Sequence, residues 1–527
     1  MEDLARGVRS FTVGTALSRV MGLVRESVFA HLFGVGAATD AFNVAFRIPN
    51  LLRDLFAETA LSAAFVPVLA SEKAMSKAAE NRLASNIFNV LLIVTGAVSL
   101  AGIFLSPSLA RFIAFGFERV PGKMELTADL TALLFPFLVF VSLAAWAMSY
   151  LNSEKSFFVP SVAPAFFSLF TIVVAVAMFG WYTARGGNPI FGMAWGVLAG
   201  GLMQFLFQLP LLRKKGFRYS AHLNFRDPGF RRVMALFIPV AIGLAGSRIN
   251  VLVNTILVTP LAQGSVSWLN YAYRIMHLPF ALFGIAVGTV ALPSFSELVT
   301  KNDQPAVKSA LLESVKMVVF LTVPASALLA FLSAPVTRII YQRGRFTASD
   351  TSAVAVAVVL YALGIPFMSA LRNLAAFFYA YKDARTPMYA GFASIGLNIV
   401  LNLSLMWVIG YKVFPLSTSI AALLNVIILA VAARKKAGEL PWEKVGRFFW
   451  LVLAASAGSG FGAWLLDSVI SSRFGTSFMA SASSVVVSGA AGLIVFFVIC
   501  RVIGLKEAGD YLGRFLRRPV TGGADGE

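Results

Sequence analysis

The sequence predicts an all-α polytopic membrane protein of about fourteen transmembrane helices, arranged as two parallel six-helix lobes plus two C-terminal helices. Three observations predict it. Of the 527 residues, 58% are hydrophobic and only 13% charged, where a soluble domain carries about a quarter; the mean hydropathy is +0.79. Apolar runs of the roughly 20 residues needed to cross a bilayer follow one another along nearly the whole chain. A set of short motifs recurs at a nearly constant offset. This composition excludes a soluble globular enzyme and a disordered chain. A single cysteine, Cys500, excludes an intramolecular disulfide and a Cys-rich metal site, and His31, His222 and His277 are too scattered for a metal motif. No metal and no cofactor is expected.

The expected spans are 10–33, 41–70, 87–106, 128–152, 157–181, 189–212, 233–261, 267–295, 307–332, 352–381, 386–410, 413–433, 447–470 and 477–503. Their short connections suit antiparallel neighbours. The first span is not expected to be a cleaved signal peptide. Its flank mixes Glu2 and Asp3 with Arg6 and Arg9, and its core holds Arg19 and Arg25.

Basic residues orient the spans. One side collects Arg213, Lys214, Lys215, Arg218, Arg226, Arg231 and Arg232 between spans six and seven. It also collects Arg434, Lys435, Lys436, Lys444 and Arg447 between twelve and thirteen, and Lys506, Arg514, Arg517 and Arg518 in the tail. That side holds about 27 Lys and Arg against about 9 on the other, so both termini are expected in the cytoplasm. The net charge of +19 then reflects topology and contact with anionic membrane lipids, and no nucleic acid is expected. The tail from Leu505 to Arg518 alternates apolar and basic residues, which fits a helix on the membrane surface and a disordered tail equally.

Residues 45–52 read AFRIPNLL and residues 272–279 read AYRIMHLP, an offset of 227 from Arg47 to Arg274. Ser18-Arg19 matches Ser247-Arg248, the PVLASE run from Pro67 matches PSFSE from Pro293, and Pro160 matches Pro387, all at offsets close to this value. The offset spans six helices. Six is even, so the copies run parallel. The expected domains are an N-lobe at 1–212, a C-lobe at 213–434, two additional helices at 435–503 and a basic tail at 504–527. Parallel repeats with a site between the lobes are a transporter architecture that works by alternating access.

Eight basic residues fall inside the spans: Arg19, Arg25, Arg47, Arg53, Arg248, Arg274, Lys316 and Arg372. A central arginine costs roughly 2.5–3.5 kcal/mol even on the mild insertion scale, so each must meet water, a partner or a ligand. Arg25 lies roughly 22 Å along span one, too deep to reach the interface easily. Arg47, Arg248 and Lys316 suit helix ends or local pairing better. Acids are sparse: Glu26, Asp40, Asp54 and Glu58 all lie in spans one and two or the turn between them, and the central parts of spans eight to twelve contain no carboxylate. A cavity shared by the lobes would therefore be positive and attract an anion, and the planar fork of arginine suits phosphate. The alternative is that the arginines pair with those four acids as interhelical glue. Gly22, Pro49, Pro279 and Gly284 stand beside the arginines and are candidate hinges.

The segment LSRVMGLVRESVFAHLFGVGAATDAFNVAFRIPNLLRDLFAETALSAAFVPVLASE at 17–72 resembles the N-terminal signature of the MurJ (MviN) family. GSVSWLNYAYRIMHLPFALFGIAVGTVALPSFSE at 264–297 resembles its second signature. The resemblance covers nearly the whole chain. It implies a lipid II flippase of the MOP exporter superfamily, in the bacterial cytoplasmic membrane and with no catalytic residues. Such a protein moves undecaprenyl-pyrophosphate-linked peptidoglycan precursor from the inner to the outer leaflet; a single chain is expected to suffice. It also implies substrate-binding arginines at Arg19, Arg25, Arg53 and Arg274, with acidic partners at Glu26, where aspartate is usual, and Asp40. Around Arg274 the chain departs from the pattern. Members often read YADR followed by LME, but here the run is YAYRIMH, without two carboxylates. A weak cation site is implied at Asn254, Asn398 and Asn402, where some members have acids; interhelical hydrogen bonding is the rival role for these amides. Spans thirteen and fourteen would help form a groove for the polyprenyl tail. The alternatives are a related polyprenyl-linked oligosaccharide flippase and a MATE-like multidrug antiporter, which would need a membrane carboxylate and no arginine cluster. An intramembrane enzyme acting on lipid phosphates would need a placed base or an acidic metal site.

Overall fold

The computed structural model describes the backbone of residues 2–54 and 59–505, and every regular element in it is helical. Packing divides the chain into two compact units, Met1–Ser267 with Arg343–Thr347, and Trp268–Gln342 with Ala348–Glu527. In the first unit run α1 (Glu2–Phe33), α2 (Ala37–Ala45), α3 (Arg47–Arg53), α4 (Thr59–Met75), α5 (Lys77–Phe104), α6 (Ser106–Ile113), α7 (Lys123–Leu134), α8 (Phe137–Ser153), α9 (Phe158–Ala184), α10 (Ile190–Leu206), α11 (Leu209–Lys214) and α12 (Pro228–Val258). α13 (Ser265–Pro279) leads into the second, which contains α14 (Ala286–Thr300), α15 (Gln304–Phe331), α16 (Ser333–Tyr341), α17 (Ala348–Ala362), α18 (Ile365–Ala380), α19 (Arg385–Ile409), α20 (Val413–Ala437), α21 (Trp442–Phe474) and α22 (Phe478–Val502). Glu58 and the tail from 506 lie outside the described residues.

Nine helical stretches among the described residues are long and apolar enough to cross a membrane. One of them, Arg385–Ala437, is α19 and α20 joined by a short 3-10 turn at Gly410–Lys412. Several expected spans are interrupted. The run expected at 41–70 begins as α2 and α3, which meet at Phe46, three residues before Pro49; the expected span at 128–152 is α7 and α8, parted at Phe135–Pro136. A proline lacks the N–H that would continue the helical ladder and crowds the preceding turn, so the chain breaks just upstream of it. The expected span at 267–295 passes from α13, ending on Pro279, through a π-helical turn at Phe280–Ile285 into α14. α1, by contrast, runs unbroken through Gly22. α5 starts ten residues before the expected span, because the Ser76 side chain accepts from the Ala79 N–H and caps a polar first stretch.

The helix starts echo the motif offset. α5 and α15 begin at 77 and 304, α6 and α16 at 106 and 333, and α9 and α19 at 158 and 385, each pair 227 apart. The caps repeat as well: Asp303 accepts from Ala306 N at 3.0 Å as Ser76 accepts from Ala79 N at 3.0 Å.

Polarity runs opposite to that of a soluble protein. Phe104, Val408, Trp450 and Val502 stand exposed, whereas Ser85, Asn86, Thr127, Ser142, Asn373, Asn402 and Ser484 are buried. Lipid accepts apolar surface freely, so the interior can hold small polar groups if their hydrogen bonds close locally. Five buried threonines do so: Thr95, Thr127, Thr131, Thr171 and Thr322 each donate to the carbonyl four residues earlier, at 2.6 or 2.7 Å. The core of the first unit gathers Leu61, Phe65, Leu69, Trp146 and Tyr150 from α4 and α8. That of the second gathers Phe295, Leu311, Phe377 and Leu429 from α14, α15, α18 and α20, and a further cluster ties α15 to α21 and α22 through Phe320, Val452 and Phe496.

Candidate functional site

In the first unit, α1 and α3 each carry an arginine followed directly by an acid. Arg25 donates from Nη2 and Nε to Glu26 Oε1 at 2.8 and 3.3 Å, and its guanidinium carbon lies 5.0 Å from the centre of the Phe167 ring on α9. Arg53 donates to Asp54 Oδ1 at 2.9 and 3.3 Å. The second oxygen of Asp54 receives Arg248 Nη1 from α12 at 3.1 Å. Arg25 and Arg53 keep 17% and 25% of their side-chain surface, and Arg248 45%. Arg19 is exposed and makes no ion pair among the described residues. Among the described residues, four arginines thus stand on three helices with two carboxylates, a formal surplus of two positive charges. That surplus can hold an anion of higher charge than a carboxylate, and the guanidinium fork is shaped for one with several oxygens.

Asp40 does not join these arginines. It is 1% exposed and is held by Lys123, itself 4% exposed, at the start of α7. Its Oδ2 accepts from Lys123 Nζ at 3.0 Å and Gly264 N at 2.8 Å, and its Oδ1 from Ser267 N at 3.1 Å and Ser267 Oγ at 2.7 Å. Lys123 Nζ also sits 3.8 Å from the centre of the Phe117 ring. A buried carboxylate needs a counter-charge and a full set of donors to offset its lost hydration, and these four contacts supply both. Asp40 is a structural anchor here.

In the second unit, Arg274 is exposed on α13. Where the family pattern has carboxylates, Tyr273 and His277 meet, Tyr273 Oη lying 3.4 Å from His277 Nε2. The His277 ring stacks on Phe280 at 5.4 Å. Arg372, exposed on α18, places its guanidinium 5.4 Å from the same Phe280 ring. The candidate hinges differ in packing. At Gly22 a Cβ would meet nothing within 4 Å, but at Gly284 it would lie 2.3 Å from Ser369 Oγ, so Gly284 permits close approach of α18.

Asn398 and Asn402, buried on α19, form a hydrogen-bonded network with Ser417 of α20. Asn398 donates to Ser417 Oγ at 2.9 Å, Asn402 to Asn398 Oδ1 at 3.2 Å, and Ser417 to Asn402 Oδ1 at 2.6 Å. Asn254 lies on α12 of the first unit. Both amide oxygens of the α19 pair accept within this network, which ties α19 to α20. No group of three His, Cys, Asp or Glu with metal-binding placement occurs among the described residues. The second unit also holds two apolar cavities. One of about 370 Å³ is walled by Leu282, Phe283, Phe295, Met317 and Leu321, and another of about 350 Å³ by Val323, Leu363, Phe367, Phe449, Trp450 and Leu453. Of the expected extra helices, α21 lines the second cavity. Sequence reasoning ranked Arg248 low and did not place Lys123 or Arg372 in any site. For Arg248 a signal existed, since Ser247-Arg248 repeats Ser18-Arg19.

The chain matches the family described as "Lipid II flippase MurJ" over residues 29–485. It is similar to the lipid II flippase MurJ of Burkholderia cenocepacia, at 35% identity over 86% of this chain and 88% of that one. It is also similar to the probable lipid II flippase MurJ of Vibrio cholerae, at 36% identity over 79% and 80%. Among solved structures, one described as lipid II flippase MurJ in an inward closed conformation aligns with a TM-score of 0.75 and 26% identity, over 94% of this chain and 99% of that one. An inward-facing multidrug transporter of the MATE family aligns with a TM-score of 0.65 at 13% identity over 80% and 94%, a likeness of fold alone.

Proposed function

The chain belongs to the family of lipid II flippases named MurJ, and on that premise we propose how its charged helices serve the activity. It is a multi-pass membrane transporter, not an enzyme, and its substrate is lipid II. The pyrophosphate of that substrate is bound by Arg19, Arg25, Arg53 and Arg274. What carries this proposal is the arginine surplus on α1, α3 and α12: among the described residues, Arg19, Arg25, Arg53 and Arg248 stand against Glu26 and Asp54. Neighbouring carboxylates hold Arg25 and Arg53 in place without cancelling the field, so a pyrophosphate of higher charge can compete for the forks. Arg248 belongs to the same set through Asp54.

The apolar cavity beside α21 takes part of the polyprenyl chain, its walls being aliphatic and aromatic apart from Ser326. The two repeats alternate access to the leaflets. Both termini lie in the cytoplasm of a bacterial cell, bounded by its cytoplasmic membrane, and a single chain is the working unit. A MATE-like drug antiporter would carry its coupling on membrane carboxylates, whereas Glu26 and Asp54 are engaged by arginines and Asp40 by Lys123. The cation role of Asn254, Asn398 and Asn402 is set aside in favour of interhelical bonding at Asn398 and Asn402. Leaflet exchange of lipid II in sealed vesicles containing the purified protein tests the whole proposal: exchange should exceed that of protein-free vesicles and leave the lipid chemically intact. Chemical turnover, or exchange equal to the protein-free rate, would contradict it.

A further inference from the structure

A second group of basic and polar side chains lines a cleft in the first unit, on α5 and the segment between α11 and α12. The segment between α11 and α12 is strapped along the first turns of α5. Asn81 Nδ2 donates to Gly216 O at 3.2 Å, and Ser220 N to Ser85 Oγ at 3.1 Å. Asn86 exchanges two bonds with the Asn224 backbone, at 2.8 and 2.9 Å. Asn89 Nδ2 donates to His222 O at 2.9 Å, while its Oδ1 accepts from Tyr219 Oη at 3.0 Å. Asn81, Ser85 and Asn89 are four residues apart, so they fall on one face of the helix. That face spends its polar groups on holding a loop in a fixed, extended path.

The strap builds a cleft of about 480 Å³ lined by Asn81, Arg82, Arg218, Tyr219, Ser220 and His222. Arg82 and Arg218 make no ion pair among the described residues, and both are exposed. Tyr219 and the Ser220 N–H are already engaged. Two polar atoms are buried with no partner: His222 Nε2 and Asn81 Oδ1. A buried polar atom without a hydrogen bond is unfavourable, so a ligand that bonds both is favoured. The amide nitrogen of Asn81 is spent on Gly216, so its oxygen serves as an acceptor.

We propose that this cleft binds a phosphate group carrying a neighbouring hydroxyl. The Arg82 and Arg218 forks take the phosphate oxygens, His222 Nε2 adds a donor, and Asn81 Oδ1 accepts from the hydroxyl. That chemistry occurs in a glycerol-phosphate lipid headgroup and in soluble glycerol phosphate. α5 enters an apolar stretch immediately beyond Asn89, so a headgroup at the membrane surface would reach the cleft.

The test uses the full chain, purified and delipidated in neutral detergent, with four probes: phosphatidylglycerol, phosphatidylcholine, phosphatidylmethanol and glycerol 3-phosphate. Retained lipid is counted by native mass spectrometry, and the soluble probe is titrated calorimetrically. We expect one tightly held phosphatidylglycerol, preferred about tenfold over phosphatidylcholine, with about tenfold lost for each of Arg82→Gln and Arg218→Gln. Phosphatidylmethanol, which keeps the diester and lacks the hydroxyl, should bind more weakly than phosphatidylglycerol. The pair Arg226→Gln and Arg231→Gln removes two exposed charges from the same loop and its helix without touching the cleft, and should leave binding unchanged. Arg82→Lys with Arg218→Lys keeps the charge and should bind between wild type and the glutamine variants. Displacement of the lipid by glycerol 3-phosphate would assign a soluble source and retention only of lipid a membrane source, and either supports the site. Equal losses from the cleft pair and the control pair would overturn it, reducing the effect to diffuse attraction of a basic surface. Equal binding of phosphatidylmethanol and phosphatidylglycerol, or no binding of any probe, would also overturn it.

Discussion

The Asp40–Lys123 pair permits a quantitative test of the first unit. Both groups are nearly inaccessible, at 1% and 4%, so neither charge can be rehydrated in place when its partner is removed. Lys123→Met keeps the length of the side chain and its contact with Phe117 but strips the cation. Asp40 then keeps three neutral donors, from Gly264 and Ser267, around an uncompensated charge, at a cost of about 3–5 kcal/mol. Asp40→Asn leaves the Lys123 ammonium buried without an anion, and its amide NH₂ must face one of those donors, for a cost of similar size. The double variant carries no buried charge. It should lose far less than the sum of the singles, with a coupling energy of at least about 2 kcal/mol. Equilibrium unfolding of the purified variants in mixed micelles, analysed as a double-mutant cycle, reads this directly. Single losses that add to within about 0.5 kcal/mol would refute the pairing.

Three further outcomes are expected. A Cβ at Gly196 would lie 2.6 Å from the carbonyl oxygen of Thr171, so Gly196→Ala should force α9 and α10 apart and destabilise the protein by about 1–3 kcal/mol; unfolding no easier than wild type would show that the helices can give. Burial alone would raise the Glu154 carboxyl, but hydrogen bonds from Lys73 and Lys77 outweigh it and bring its pKa down to about 2 from 4.5. A lowered folded value means its stabilisation is complete above about pH 4.5 and is lost as pH falls toward about 2, so Glu154→Gln should flatten the acid limb of a stability profile over that window and an unchanged limb would contradict the pairing. A Cβ at Gly22 would meet no neighbour within 4 Å, so Gly22→Val should slow lipid exchange more than it weakens substrate binding if Gly22 serves motion; a fall in binding alone would make it a contact residue.

Most helical runs were legible because an apolar stretch of sufficient length has few other stable fates. Their interruptions were not. The breaks at Phe46 and Phe135 interrupt the helix without removing apolar residues, so hydropathy runs straight through them. The start of α5 was hidden for the opposite reason: Lys77–Asn86 is polar because it grips a loop, and so it does not resemble a span. Arg25 and Arg53 were legible as anomalies, since a cation in an apolar run demands a reason, and Glu26 and Asp54 stand next to them in sequence. The partner of Asp40 was not legible. Lys123 is 83 residues away and reads as a loop lysine, and only the fold shows that the two share a buried position. The aromatic group around Arg274 was half visible: Tyr273 and His277 replace carboxylates in the sequence, but Arg372 meets Phe280 only through the packing of α18.

The central claim is that the arginines recognise a pyrophosphate through their forks, beyond supplying charge. It is tested most directly by the rate of lipid II leaflet exchange in sealed vesicles containing equal amounts of wild type, Arg25→Lys or Arg53→Lys, each checked for insertion and unfolding temperature. Lysine preserves the charge and loses the two-point geometry, at a cost of about 1.5–3 kcal/mol per lost charged bond, so exchange should fall by about tenfold or more in each variant while insertion and stability stay near wild type. Wild-type exchange rates in both lysine variants would contradict the account and leave the arginines as interhelical partners of Glu26 and Asp54.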